Sequence, residues 1–269
     1  MKTEYDVIVL GAGAGGMTAA SVAAAEGLSV IVIEKSQFVG GTTAVSGGMV
    51  WIPANSKMAQ AGIPDTNEEA RLYLRYTVRD SFNENLRSVF LASGNKAISY
   101  LEEKTSVRLR SVKVYPDYYP DLPGATTGGR VLEPVPFDGR LLGKHFQLLR
   151  WPLSEFMLFG GMMIDRADIP HFRKVGRSLC STVHVARLLA RYSKERVFAK
   201  RGTTLYLGNA LAAQLLYSLL ILKVELSLNT AVNGLIYDGV TVSGVSITNA
   251  GRRRDIRAKR GVVLASGGF

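Results

Sequence analysis

Cysteine is almost missing from this sequence. Cys180 stands alone in 269 residues, so no internal disulfide can form and no thiol pair exists for a zinc knuckle or an iron–sulfur site. With no base motif beside it, Cys180 is not read as a nucleophile either. Histidine is nearly as scarce: His145, His171 and His184 lack metal-ligand spacing and are read as surface or satisfied core groups. No uninterrupted apolar run is long enough to cross a bilayer. Val7 to Ala25 is broken by Gly11, Gly13, Gly15 and Gly16, while Leu211 to Leu222 is short and carries Gln214 and Ser218. Beyond Lys2 there is no basic segment of the kind that opens a secretory leader. These absences predict a cytoplasmic chain with no transmembrane segment and no metal. Internal repeats are missing too, and the 28 glycines follow no three-residue period, so they mark turns and close approaches rather than low complexity.

What is present is enough for a packed core: 47% of the residues are hydrophobic, in a length that suits one large domain or two ordinary ones. The net charge of +11 would serve nucleic acid or an anionic surface, yet the basic residues are spread out except for Arg252, Arg253, Arg254, Arg257, Lys259 and Arg260. That cluster follows Asn249-Ala250-Gly251, a turn signal between two strand-like runs. It reads as an exposed hairpin tip, and without a nucleic-acid-binding motif no nucleic-acid partner is expected.

Asp6 to Leu10 reads as a buried parallel strand, Ala14 to Glu26 as an alanine-rich helix stopped at Gly27, and Ser29 to Ile33 as a second buried strand. This is a βαβ unit. From Asn55 the texture changes to amphipathic helices, Asn67 to Asp80 with an acidic first turn and Glu84 to Lys104 behind a capping Asn83. Residues 115 to 143, rich in Pro, Gly, Asp and Tyr, read as a long irregular loop, which inside a compact domain is functional or mobile. Helices over Thr182 to Ala199 and Asn209 to Leu222 follow. Strand-like runs close the chain at Val224 to Leu228, Ala231 to Asp238, Val240 to Thr248, Asp255 to Ala258 and Gly261 to Ala265.

The chemistry concentrates near the N-terminus. Gly11-Ala12-Gly13-Ala14-Gly15-Gly16 satisfies GxGxxG through Gly11, Gly13 and Gly16, between a predicted strand and a predicted helix. Gly11 permits the tight turn, Gly13 admits a pyrophosphate to the backbone, and Gly16 lets helix and strand pack closely. The helix N-terminus then favours phosphate charge. Glu34, followed by Lys35, ends the second strand, where a carboxylate accepts hydrogen bonds from a ribose and repels a 2′-phosphate. At this point NAD and FAD are served equally. The next segment, Gly40-Gly41-Thr42-Thr43-Ala44-Val45-Ser46-Gly47-Gly48, offers backbone N–H groups and hydroxyls with little bulk, which suits an extended ligand.

Together the two segments resemble the flavoprotein family of fumarate reductases, succinate dehydrogenase flavoproteins, aspartate oxidases and 3-ketosteroid dehydrogenases. The form Ser46-Gly47-Gly48-Met49-Val50-Trp51-Ile52-Pro53-Ala54-Asn55 is most similar to the ketosteroid dehydrogenase branch. The likeness continues through Gly128-Gly129-Arg130, Pro136-Phe137-Asp138-Gly139-Arg140, Gly208-Asn209-Ala210-Leu211 and Val262 to Phe269. The resemblance implies an α/β fold: a Rossmann-like FAD-binding domain over 1–55 and 201–269, with an inserted α+β capping or substrate domain over 56–200. It implies FAD held by Gly11, Ala12, Gly13, Ala14, Gly15, Gly16, Glu34, Lys35, Gly40, Gly41, Thr42, Thr43, Ser46, Gly47 and Gly48, with returning contacts at Val232, Ala265, Ser266 and Gly267. It also implies a steroid-like small-molecule ketone, oxidised at a CH–CH bond, and a substrate-side tyrosine within Tyr115-Pro116-Asp117-Tyr118-Tyr119. Tyr118 and Tyr119 are the catalytic candidates, and packing of a proline-rich loop by aromatics is the other reading of the same residues. A fumarate- or succinate-type reductase is the second enzymatic reading and would draw on Arg130 and Arg140 to hold two carboxylates. A non-catalytic flavoprotein fragment is the third. Members of that family are roughly twice as long, so the chain is expected to be a truncated N-terminal half that lacks a C-terminal half or a completing polypeptide.

Overall fold

The computed structural model describes residues 2–78 and 83–268. Its strands, in chain order, are β1 (Glu4–Leu10), β2 (Val30–Ile33), β3 (Val50–Trp51), β4 (Leu109–Ser111), β5 (Val131–Pro134), β6 (Phe137–Asp138), β7 (Thr204–Leu205), β8 (Glu225–Ser227), β9 (Thr230–Tyr237), β10 (Val242–Asn249) and β11 (Arg252–Leu264). Its α-helices are α1 (Ala14–Ala25), α2 (Ser56–Gln60), α3 (Asn67–Thr77), α4 (Glu84–Lys104), α5 (Ile169–Arg173), α6 (Leu179–Phe198) and α7 (Leu207–Ile221). The chain divides into two compact units, Met1–Gly47 with Pro136–Phe269, and Gly48–Val135. This division differs from the expected boundaries at residues 55 and 200. The reason is local pairing. Phe137 lies opposite Leu205 in the β6–β7 ladder and Val39 bridges Leu149, so the chain rejoins the first unit at residue 136 instead of 201.

In the first unit six strands form one sheet in the order β8-β2-β1-β11-β10-β9. β8, β2, β1 and β11 run parallel, whereas β10 and β9 join antiparallel. All four residues of β2, Val30-Ile31-Val32-Ile33, are buried, as befits a parallel strand covered on both faces. Tyr5, Ile8, Leu10, Ile31, Ile33, Val245, Ile247, Ile256 and Ala258 make one continuous core across the parallel and antiparallel parts. From β1 the chain passes through α1 to β2 on one side, while β11 pairs with β1 on the other. The carboxyl end of β1 is therefore a topological switch point, the place where open α/β sheets leave a crevice for a ligand.

The two separate strands expected at Asp255 to Ala258 and Gly261 to Ala265 are one strand of 13 residues, β11. Its pairing with β1 steps from Tyr5↔Ala258 to Val7↔Gly261, so a bulge on β11 absorbs the residue that read as an interruption. The β10–β11 turn has Ala250 at φ 48 and Gly251 at φ 75, the geometry of a tight hairpin. Arg252, Arg253, Arg254, Arg257, Lys259 and Arg260 are exposed while Ile256 and Ala258 face the core. α7 is apolar nearly all round, and buries even Gln214 and Ser218, the latter donating to the Gln214 carbonyl at 2.8 Å.

The second unit holds α2, α3, α4 and an antiparallel sheet in the order β3-β5-β4. Asn83 caps α4 by accepting from the Asn85 N–H, and Thr66 caps α3 by accepting from the Glu69 N–H. α3 ends at Thr77, and the expected continuation to Asp80 falls partly outside the described residues. The loop expected over 115–143 is interrupted by β5 and β6, because Leu132 and Glu133 pair with β4 while Phe137 pairs with β7. Among the described residues no helix is long and apolar enough to cross a membrane.

Candidate functional site

The glycine turn between β1 and α1 is held from both sides. The Gly11 N–H donates to the Ile33 carbonyl at 2.8 Å and the Ala265 N–H donates to the Leu10 carbonyl at 2.9 Å. Gly11 sits at φ +107, and a Cβ there would lie 2.3 Å from the Ala265 oxygen; one on Gly16 would lie 1.9 Å from the Gly11 oxygen. These two glycines exist because backbone passes backbone. Gly13 and Gly15 are different: a Cβ on either would meet nothing within 4 Å. Space is thus kept open in front of the α1 N-terminus, whose backbone N–H groups and dipole favour an anion.

The second glycine segment is laced onto this turn. The Gly40 N–H donates to the Ala12 carbonyl at 2.8 Å, and the Ala14 N–H donates to Thr43 Oγ1 at 3.0 Å. A Cβ on Gly41 would come within 3.5 Å of the Gly13 Cα. Thr42 leads into a single helical turn, Thr43–Val45, closed by the Ser46 N–H on the Thr43 carbonyl. The start of α7 rests on the same turn: the Gly208 N–H donates to the Ser46 carbonyl at 3.0 Å, and a Cβ on Gly208 would fall 1.9 Å from the Thr43 oxygen. Gly47 ends the first unit's N-terminal part and Gly48 belongs to the second unit.

Glu34 does more than end β2. Its carboxylate accepts from the Ala12 N–H and from the Ser36 N–H, both at 2.8 Å, which ties the acid to the glycine turn and leaves further lone pairs on each oxygen. A cavity of about 200 Å³ opens beside it, lined by Leu10, Gly11, Ile33, Glu34, Lys35, Thr230, Val232 and Ser266. Gly11, Glu34, Lys35, Val232 and Ser266, picked from distant parts of the sequence, thus share one cavity. Thr230 joins them without having been singled out; nothing in its sequence surroundings marks it. Gly267, at φ +88, follows Ser266 in the segment leaving β11.

Close to the second glycine segment lies Arg201, only 2% exposed. Its Nη1 donates to Asn209 Oδ1 at 2.8 Å, Nη2 has no hydrogen-bond partner among the described residues, and the guanidinium stacks over Phe146 and Trp151 at 4.7 and 5.5 Å. Desolvation takes its pKa down to about 10. Asn209 in turn donates to the Ala44 and Arg150 carbonyls. Sequence reasoning missed this cation, since a buried arginine without a carboxylate has no periodic signature.

The tyrosine loop lies in the second unit. Tyr118 is 91% exposed and Tyr119 59% exposed, so neither is a packed core aromatic. Both border a cavity of about 300 Å³ together with Met49, Trp51, Tyr73, Leu74, Thr77, Tyr115, Pro116, Asp117 and Val131. Tyr73 is buried, its hydroxyl accepts the Tyr119 N–H at 3.2 Å, and desolvation raises its pKa. Asp117 anchors the loop from below, accepting from Trp51 Nε1 at 2.7 Å, the Thr126 N–H at 3.0 Å and Arg130 Nη1 at 2.9 Å.

Arg130 and Arg140, the cations a dicarboxylate site would need, are both engaged. Arg130 forks onto Asp65 and also reaches Asp117, and Arg140 pairs with Asp138 at 2.6 Å. Among the histidines, His184 Nε2 lies 2.8 Å from Asp168 Oδ1 and its ring packs 4.3 Å from that of His171. Among the described residues no group of three or more His, Cys, Asp or Glu could hold a metal ion.

The sequence matches the family described as FAD binding domain over residues 6–269. It is 38% identical to 4-oxocyclohex-2-ene-1-carboxylate 5-dehydrogenase of Sinomonas cyclohexanicum over 98% of this chain and 44% of that protein. It is 36% identical to 3-oxosteroid 1-dehydrogenase of Mycolicibacterium smegmatis over 99% of this chain and 47% of that protein. The crystal structure of 3-ketosteroid delta1-dehydrogenase from Sterolibacterium denitrificans, in complex with 1,4-androstadiene-3,17-dione, superposes with a TM-score of 0.90 at 39% identity, over 100% of this chain and 48% of that one. The chain therefore spans about half the length of the curated relatives it matches.

Proposed function

The chain belongs to the FAD binding domain family, and from that premise we propose that the whole protein is an FAD-dependent dehydrogenase acting on a CH–CH bond of a neutral, steroid-like alicyclic ketone. Bound FAD supplies the two-electron oxidant that takes up the hydride. Gly11 to Gly16 would receive its pyrophosphate at the α1 N-terminus, Glu34 would accept from a ribose hydroxyl, and Gly40 to Gly47 with Ala265 to Gly267 would line the rest of it, with Val232 on the adenine side. The open space before Gly13 and Gly15 supports this fit.

The observation that carries the substrate class is the lining of the second unit's cavity. Trp51, Tyr73, Tyr115, Tyr118 and Tyr119 supply flat apolar walls, and no Lys, Arg or His is among its described lining residues. Such a wall favours a neutral ring system over one that carries a carboxylate, whose burial without a cation is costly. Arg130 and Arg140 are already paired, which weighs against the dicarboxylate reading. In the reaction a carbon next to the carbonyl loses a proton, its neighbour loses a hydride, and a C=C bond forms between them. Tyr118 and Tyr119 are assigned to pass that proton outward, since a phenol at a cavity rim and in contact with water can relay it.

The test is anaerobic mixing of the FAD-loaded full-length protein with a 3-ketosteroid and, separately, with an oxocyclohexanecarboxylate, following loss of flavin absorbance. Faster loss with the neutral ketone is expected; loss with the carboxylate alone would overturn the substrate assignment. Tyr118→Phe or Tyr119→Phe should slow that loss with unchanged FAD content, because only a hydroxyl is deleted, and full rates in both variants would return the loop to a packing role. Glu34→Ala should weaken FAD by about 1.5–3 kcal/mol, the worth of hydrogen bonds to a charged group. Titration of the apoprotein reads this directly, and an unchanged Kd would remove Glu34 from the ribose.

A further inference from the structure

Arg201 is a cation that the first unit buries without an anion. Arg130, equally buried in the second unit, forks onto Asp65 and Asp117. Arg201 has no such partner among the described residues, and desolvation acts on it with no charged neighbour to offset it. A buried charge left in this way is costly. Here the cost is only softened: Nη1 donates to Asn209 Oδ1, Phe146 and Trp151 offer their ring faces, and Nη2 goes without an acceptor among the described residues. The chain is nevertheless shaped around this side chain. A Cβ on Gly161 would come 3.1 Å from that of Arg201, and the Gly202 N–H fastens the next residue to the Gly161 carbonyl at 3.0 Å.

What the cation stands behind is the second glycine segment. Asn209 takes Nη1 on its side-chain oxygen and donates its Nδ2 to the Ala44 carbonyl at 3.3 Å. The Ala44 N–H donates to the Gly40 carbonyl at 3.1 Å, and the Gly40 N–H to the Ala12 carbonyl at 2.8 Å. An unbroken run of hydrogen bonds thus leads from the guanidinium to the glycine turn at the start of α1. Gly11 to Gly16 carry no charged side chain, whereas the diphosphate of a dinucleotide brings two negative charges to that turn. A cation so deeply buried is screened little by salt, and its attraction carries further through a dry interior than through water.

We propose that Arg201 is a positioning residue for the cofactor: a positive charge kept at a cost to the stability of the apoprotein, which attracts the diphosphate of FAD from behind the second glycine segment without touching it. The assignment rests on the FAD placement given above and extends it to a residue outside the two glycine segments. It separates the two functions a buried arginine can have, since a residue kept for stability and a residue kept for the cofactor respond in opposite directions when the charge is removed.

The experiment uses the full-length apoprotein, titrated with FAD by quenching of flavin fluorescence and melted without ligand. Arg201→Met places a neutral chain of similar reach between Phe146 and Trp151, and Arg201→Lys keeps the charge. Arg201→Met should weaken FAD about tenfold, the effect of a unit charge acting across a partly dry interior, while its apoprotein melts at or above the temperature of the parent, because the uncompensated charge is gone. Arg201→Lys should recover most of the lost affinity. A lower melting temperature for Arg201→Met, or failure to fold, makes Arg201 a structural residue and overturns the proposal. Unchanged FAD affinity in Arg201→Met, or a loss in Arg201→Lys as large as in Arg201→Met, overturns it as well, since charge would then not be what acts. A parent protein that takes up no FAD overturns the cofactor placement itself and the Arg201 assignment with it.

Discussion

Gly13→Val is expected to give a protein that folds and melts as the parent apoprotein does but retains no FAD. The two halves of that result have separate causes. Gly13 has φ −83 and ψ −175, a conformation that any L-residue adopts, and a Cβ there would meet nothing within 4 Å, so the apoprotein has no reason to be disturbed. The same open space faces the start of α1, where a diphosphate must come close to the backbone to gain from the helix N-terminus. A valine side chain would fill it and force the anion away. Gly11→Val is the contrasting variant. At φ +107, with the Ala265 oxygen 2.3 Å from the would-be Cβ, it should fail to form the β1–β11 junction and should lower the melting temperature even without cofactor. His184→Ala, on α6, should leave FAD content unchanged. Flavin absorbance per protein and thermal melting of the apoprotein check all three, and stoichiometric FAD in Gly13→Val would mean that the phosphates lie elsewhere.

The difference between these glycines shows what kind of information a local motif holds. The spacing of Gly11, Gly13 and Gly16 reveals a turn between strand and helix because the positive φ of Gly11 and the contact of Gly16 with the Gly11 oxygen are local, whereas the Ala265 oxygen that also bars a side chain from Gly11 comes from the far end of the sheet. Glu34 is legible for the same cause, as the acid that ends the next strand. Val232 and Ser266 come from the family resemblance, and they border the same cavity because β9 and β11 belong to the sheet that carries β1. The continuity of β11 was not legible, since a bulge opposite Tyr5 and Val7 reads in sequence as a break between two strands. Nor was the boundary at residue 136, which depends on Phe137 pairing with Leu205 far down the chain. Tyr73 escaped notice because an aromatic on the inner side of an amphipathic helix looks like core. The exposure of Tyr118 and Tyr119 was equally hidden, because a proline-rich aromatic loop reads the same whether it packs inward or outward.

Arg130 shows how the loop that bears these tyrosines is held, and its loss should be the most damaging single change in the second unit. The guanidinium is 1% exposed and forks onto Asp65 through Nε and Nη2 at 2.9 and 2.7 Å, while Nη1 reaches Asp117 at 2.9 Å. The side chains of Asp65 and Asp117 are themselves only 1% exposed. Arg130→Met should therefore cost about 3–5 kcal/mol, because two carboxylates would be left in the interior with no cation between them. Arg130→Lys keeps the charge but cannot span both acids with the planar fork, and should recover only part of the loss. Replacing all three charges together, with Asp65→Leu and Asp117→Leu added to Arg130→Met, should restore much of the stability, since removing a whole buried ion cluster spares its desolvation as well as its attraction. It should not restore ligand binding. Asp117 also receives Trp51 Nε1 and the Thr126 N–H, so without it the indole wall and the segment leading to Tyr118 lose their common anchor. Urea unfolding measures the first effect and ketone titration the second. An Arg130→Met protein within about 1 kcal/mol of the parent, well below the range for a broken buried pair, would mean that water reaches this cluster and that the loop is held by its apolar contacts instead.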